Sequence, residues 1–244
     1  MSEATSRKRR FRRPTLTTAF LTGSAFLVLL ALGSWQVQRA IWKAELIAER
    51  RAHVAVPAEP LPEAAQDWAA WDYRRVDLKG RFLHAHELML GARSLNGNVG
   101  YHVLTPLEEA GGRVVLIDRG WVPLDKKETE TRAEANPEGP VALEGVLRIP
   151  RKPGWFAPAN APEENFWIWV DVPAMEQATG LTLAPFYIEA DARPNPGDWP
   201  KGGQTQVEMP NDHVQYAITW YALAVALAVI VVLYHRRKPA EGDG

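Results

Sequence analysis

Two long uncharged apolar stretches, one near each end of the chain, limit what it can fold into more than any other feature. No formal charge falls between Pro14 and Gln38, and Leu16 to Trp35 is mostly Leu, Ala, Phe, Val and Thr. Val214 to Tyr234 is likewise uncharged and rich in Ala, Val and Leu. A helix of about 20 such residues rises roughly 30 Å, the thickness of a bilayer's hydrocarbon core. The sequence therefore predicts an integral membrane protein in which two transmembrane helices hold one folded domain between them. Trp35, Trp220, Tyr221 and Tyr234 stand where aromatic side chains anchor helices at membrane interfaces.

Flanking charge gives an orientation. Arg7, Lys8, Arg9, Arg10, Arg12 and Arg13 precede the first stretch, and Arg236, Arg237 and Lys238 follow the second. Positive residues stay on the cytoplasmic side, so both tails are expected there and the intervening domain outside. A basic run abutting an apolar 20-mer is a topology signal rather than a nucleic-acid patch, and no nucleic-acid partner is expected. Ala31-Leu32-Gly33 loosely resembles a signal-peptide cleavage site. The apolar run is longer than a signal core, however, and its helical pattern continues through Trp35, Arg39, Trp42 and Leu46, which favours an uncleaved anchor. The expected layout is a tail over 1–13, a transmembrane helix over 14–37, an extracytoplasmic domain over 38–212, a second transmembrane helix over 213–234 and a tail over 235–244.

The intervening domain reads as β-rich. Residues 39 to 56 look helical, and a Pro-rich connection, Pro57 to Pro62, follows. Strand-like runs cover Arg74–Leu83, Glu87–Ala92, Tyr101–Leu107, Arg113–Trp121, Val141–Ile149, Phe166–Val170 and Phe186–Glu189, punctuated by Gly80, Asn96-Gly97-Asn98, Gly111-Gly112 and Pro137-Glu138-Gly139. Gly111-Gly112 reads as a hairpin turn. One short helix is expected over Pro173 to Thr179, stopped by Gly180. Helices do not alternate with strands, so the fold class is α+β: two membrane helices flanking a mainly antiparallel sheet or partly closed barrel.

The absence of Cys excludes disulfides, thiolate metal sites and thiol redox chemistry. No G-x-S-x-G elbow, phosphate-cradling loop or HExxH pair is present, and no motif assembles an acid, a base and a nucleophile. His84 and His86 would share one face of an extended strand and could chelate a metal, but without a third ligand a solvated strand end is the better reading. His53 and His102 look isolated. Asp118 is expected to pair structurally with Arg119 or a cross-strand cation. His213 stands apart: it begins the second helix after Pro210-Asn211-Asp212, on a face continuing through Tyr216, Ala217, Trp220 and Ala224. Such an imidazole suits axial ligation of haem iron, with the small Ala residues admitting a flat macrocycle. On physical grounds alone, a polar helix start beside the caps Asn211 and Asp212 ranks ahead. Trp35, Arg39 and Trp42 form a stripe on the first helix, where a guanidinium between indoles would meet lipid phosphate or porphyrin carboxylates, or simply anchor the interface.

Three separated motifs carry a family resemblance. Gly33-Ser34-Trp35-Gln36 with Arg39, Trp42-Lys43 and Leu46-Ile47 resembles the N-terminal signature of the Surfeit locus protein 1 family. Arg119-Gly120-Trp121-Val122-Pro123 resembles its central motif, and Gly202-Gly203-Gln204-Thr205, Asn211, His213, Gln215-Tyr216 and Thr219-Trp220-Tyr221 its C-terminal one. The resemblance spans roughly residues 20 to 225. It implies a bacterial inner-membrane assembly factor for aa3-type cytochrome c oxidase, with its domain in the periplasm, that binds haem a transiently and helps deliver it to the catalytic subunit. Its implied partners are that subunit, the haem a synthesis enzymes and membrane lipid. His213 falls on the proposed haem-iron ligand; Tyr216, Trp220, Trp35 and Arg39 are the expected surrounding residues. A scaffold that stabilises an oxidase intermediate without carrying haem is the alternative, and a two-helix receptor for a periplasmic ligand a third reading.

Overall fold

Charge-free sequence gives way to helix at Thr15, whose hydroxyl accepts from the Thr18 amide (3.2 Å) and so caps the first turn. Helix α1 spans Leu16–Ala55 and passes through Ala31-Leu32-Gly33 without interruption. It ends two residues before Pro57, which disfavours helical backbone in the residue ahead of it. The computed structural model describes residues 10–11 and 13–237; Arg7, Lys8, Arg9, Arg12 and Lys238 of the expected basic flanks lie outside them.

The chain forms two units, one of helices up to Ala48 and from Glu208 onward, the other a β-rich body, Glu49–Val207. The first unit contains most of α1 and a second long helix, α3, His213–His235. Both are long and apolar enough to cross a membrane, and only 6% and 11% of their most apolar windows are buried. Helices at the core of a soluble protein are covered by other elements; here Phe20, Leu27, Ile218, Val225 and Ile230 are more than 60% exposed, faces that suit lipid. On α1 the buried positions Gly33, Ala40 and Ile47 recur at helical spacing. A Cβ on Gly33 would lie 2.8 Å from the Tyr221 ring, so glycine lets α3 approach there. Arg10–Phe11 pairs antiparallel with Arg236–Arg237, which brings the chain ahead of α1 and the chain behind α3 together.

In the body, eight strands follow in chain order: β1 (Glu59–Pro60), β2 (Arg75–Phe82), β3 (Leu88–Leu95), β4 (Asn98–Glu109), β5 (Val114–Pro123), β6 (Pro140–Arg148), β7 (Phe166–Trp167) and β8 (Leu183–Ala190). Hydrogen bonding runs β2-β6-β8-β5-β4 and returns to β2, closing a five-stranded barrel. Closure occurs where Gly80 pairs with Glu109; a Cβ on Gly80 would lie 2.4 Å from the Glu108 carbonyl oxygen, so only glycine admits the strand there. Beside its pairing with β5, the long β4 serves two further neighbours, β2 at its end and β3 along its first half, and β7 extends the sheet beyond β3. The pairings are mainly antiparallel, as expected; three run parallel, β1 with β2, β3 with β7 and β5 with β8.

Period-two alternation fills the barrel. Val76 and Leu78 of β2, Val115 and Ile117 of β5, and Phe186 and Ile188 of β8 point inward, and Trp68 closes the interior against Phe186. The opposite face of β5 is covered as well: Leu116 joins Leu90, Leu104, Trp167 and Met175 in a second cluster beneath helix α2, Val172–Thr179. Asp171 caps α2 by accepting from Ala174, and Gly180 ends it at φ 71°. Several boundaries differ from the sequence reading, and two have a visible cause. Strand β4 begins at Asn98 because Asn96 and Gly97 (φ 51° and 82°) form a two-residue hairpin. Strand β7 stops at Trp167 because the Asn160 side chain takes the amides of Ile168 and Trp169.

Candidate functional site

In the helix unit, His213 opens α3 and its Nδ1 lies 2.7 Å from Oε1 of Gln36 on α1. An amide oxygen only accepts, so Nδ1 is the donor in this contact, and in the neutral ring the lone pair falls on Nε2. This is how proteins commonly orient an imidazole that ligates a metal through its other nitrogen. Three further links surround it: Asn211 Nδ2 donates to the Ala40 carbonyl (3.1 Å), Lys43 Nζ to the Pro210 carbonyl, and the Ser34 and Tyr221 hydroxyls meet at 3.1 Å. Against the sequence expectation, Asn211 and Asp212 do not cap α3 through their side chains; Asn211 is spent on α1 instead.

Ala217 and Ala224 are 4% and 1% exposed, whereas Tyr216 is 56% exposed and Trp220 half-buried. The small residues are therefore used to pack α3 rather than to leave a slot for a flat ring. Trp35 and Trp42 are about half exposed, and the Arg39 guanidinium stacks 4.0 Å over Trp42. The structure joins His213 to Gln36; it leaves Tyr216, Trp35 and Arg39 on exposed flanks.

In the body, two of the sequence motifs meet. Gly120 has φ 113°, and a Cβ there would lie 2.0 Å from the Lys201 carbonyl oxygen. Trp121 and Lys201 exchange backbone hydrogen bonds of 2.9 and 2.8 Å, and the Trp121 ring packs 5.6 Å from Trp199. Of the two partners expected for Asp118, Arg119 turns elsewhere, and the cross-strand partner is His102, whose Nδ1 meets Asp118 Oδ2 at 2.8 Å; Asp118 Oδ1 accepts from the Gly120 amide. His102 is accordingly not isolated, and His53 also has a partner, the Asp72 carbonyl at 3.4 Å. His84 and His86 sit in a short 3-10 turn, not on an extended strand, and His84 faces Glu87 and the Pro137 carbonyl. Among the described residues no group of three or more His, Asp or Glu side chains is arranged to hold a metal ion.

A buried ionic knot lies beside the barrel. Glu87 accepts from Arg132 Nη2 (2.5 Å), Arg119 Nη1 (3.3 Å), Thr105 Oγ1 (3.0 Å) and Thr129 Oγ1 (2.9 Å). Burial pushes the Glu87 carboxyl up, but the hydrogen bonds from His84 and Arg132 and the charges of Arg132 and Arg119 outweigh it and hold the group at about 2. Burial lowers Arg119 to about 10, which leaves it charged at neutral pH. The knot ties the segment 129–135 to β5 and to the turn before β3. Sequence reasoning missed it, since its three charged members are far apart in the chain. Gln36 was visible as a motif residue, but its role depends on the helix pairing.

Two apolar helices flanking, in sequence, a closed five-stranded barrel define a membrane-anchored β-barrel protein. The model of the SURF1 family matches residues 24–225. The chain is 38% identical over 231 residues to the SURF1-like protein of Monosiga brevicollis, covering 89% of this chain and 87% of that one. It is 36% identical over 225 residues to Surfeit locus protein 1 of Mus musculus (84% and 73% covered) and 36% over 215 residues to that of Homo sapiens (82% and 71%). The chain belongs to the SURF1 family.

Proposed function

We propose that this protein is a non-enzymatic assembly factor for aa3-type cytochrome c oxidase that carries haem a as cargo and helps insert it into the catalytic subunit. Family membership supports the oxidase; the observation that carries the haem reading is the 2.7 Å contact of His213 Nδ1 with Gln36. The donor set fits the cargo: Nε2 is free to ligate iron, Tyr216 and Trp220 offer aromatic surface on the same helix, and Trp35 and Arg39 supply an indole and a cation for a carboxylate-bearing ring. With Ala217 and Ala224 consumed by packing, the cargo would lie against the exposed flank and not between the helices. That suits transient loading and release. The flanking charges favour an inner-membrane setting with both tails cytoplasmic and the barrel periplasmic, and the pairing of Arg10–Phe11 with Arg236–Arg237 agrees with tails on one side.

The same close packing favours the scaffold reading as the second choice. In a host lacking the chain, His213→Ala should fail to restore haem a in membrane-bound oxidase while accumulating like the wild type. Full restoration by that variant would transfer the function to the scaffold alternative.

A further inference from the structure

A polar cavity of about 340 Å³ opens in the β-rich body, and none of the residues of the haem proposal lines it. Its volume is in the range of sites for small molecules. His102, Asp118, Arg148, Glu189, Arg93 and Gln206 line it. The walls are rigid because most of these groups are already paired. Asp118 holds His102 Nδ1 and the Gly120 amide. Arg148 Nη1 reaches both oxygens of Glu189, at 2.8 and 3.0 Å, and Nη2 takes the Tyr73 hydroxyl at 2.9 Å. The Tyr187 hydroxyl donates to Glu189 at 3.4 Å.

The two carboxylates are thus satisfied, and what remains is a set of donors. Arg93 and Gln206 make no side-chain hydrogen bond or ion pair among the described residues, and neither does Nε2 of His102. Arg93 follows a β-bulge: the β3–β4 register shifts between Leu90 and Arg93, and Ala92 takes φ 54°. Bulges recur beside binding sites because they re-aim a side chain at the expense of regular pairing. An unpaired guanidinium beside an imidazole and an amide calls for an acceptor-rich, negatively charged ligand. The fixed Asp118 and Glu189 set its charge, since a dianion would face both. Burial pushes the Glu189 carboxyl up; Arg148 pulls it back and Asp118 pushes it further, so this wall tolerates one added negative charge better than two.

We propose that the cavity binds a monocarboxylate, or the carboxylate end of a larger molecule, through Arg93 and His102. The inference is independent of haem binding at His213. Arg93 has no structural partner to lose, so Arg93→Gln should fold as the wild type does. The test is saturation-transfer NMR on the full chain in detergent micelles, with acetate as the probe and inorganic phosphate as competitor. The expected result is an acetate signal that weakens about tenfold in affinity in Arg93→Gln, falls in His102→Gln, and resists phosphate. No acetate signal, or one that Arg93→Gln leaves unchanged, overturns the site. Displacement by equimolar phosphate overturns the monocarboxylate class.

Discussion

Replacing Glu87 with Gln leaves Arg119 and Arg132 buried with no carboxylate between them. The side chains of all three are at most 3% exposed, so solvent screening offers little relief. The gap between an ordinary value of 4.5 and the folded value of about 2 corresponds to about 3 kcal/mol at neutral pH. Removing one partner of a buried ion pair costs about 3–5 kcal/mol, because the remaining charges keep their desolvation penalty. Glu87→Gln should therefore lower the stability of the body by about 3–5 kcal/mol at pH 7, read from urea unfolding of the full chain in micelles by tryptophan fluorescence. The acid limb adds a second signature. A carboxyl depressed in the folded state contributes fully above about 4.5, and that contribution is lost as pH falls towards 2. The wild-type advantage over Glu87→Gln should shrink across this window. A difference below about 1 kcal/mol at pH 7, or one that does not change between pH 5 and 2, would refute the reasoning.

Gly120→Ala should destabilise the body by at least about 2 kcal/mol and lower its thermal midpoint, because the new Cβ collides with the Lys201 carbonyl at a left-handed φ. Asn165 sits at φ 48°, accepts from the Met89 amide and Trp167 Nε1, and donates to the Glu87 carbonyl; Asn165→Ala should cost about 2–4 kcal/mol by the same measurement. Gln36→Leu should keep the helices folded yet weaken haem affinity about tenfold or more, since His213 loses the partner that orients its ring.

Much of the barrel was legible because its strands alternate and its turns use Gly and Asn where a positive φ is needed. The segment Val114–Val122 is buried on both faces, and its apolar start, Val114–Ile117, marked a strand but said nothing of its neighbours. Barrel closure was not legible: it depends on β4 being long enough to serve both β3 and β2, and the Asn96-Gly97 hairpin that lengthens β4 looked like a wider loop. The pairing of His102 with Asp118 was hidden by the irregularity between His102 and Leu104, which shifts the register against β5. Arg132 lies in a segment to which the sequence assigned no element, and no local pattern links it to Glu87. His213 stood out from its position alone, whereas the packing of Ala217 and Ala224 is a property of two helices together and appears in neither sequence stretch.

The most direct test is the visible spectrum of the detergent-purified full chain co-expressed with the haem a synthesis enzymes, wild type beside His213→Ala. The account predicts a haem a signal in the wild type that the substitution removes, while the folded body is retained. An equal haem signal in both would contradict ligation at His213, and no haem in either would contradict the carrier role.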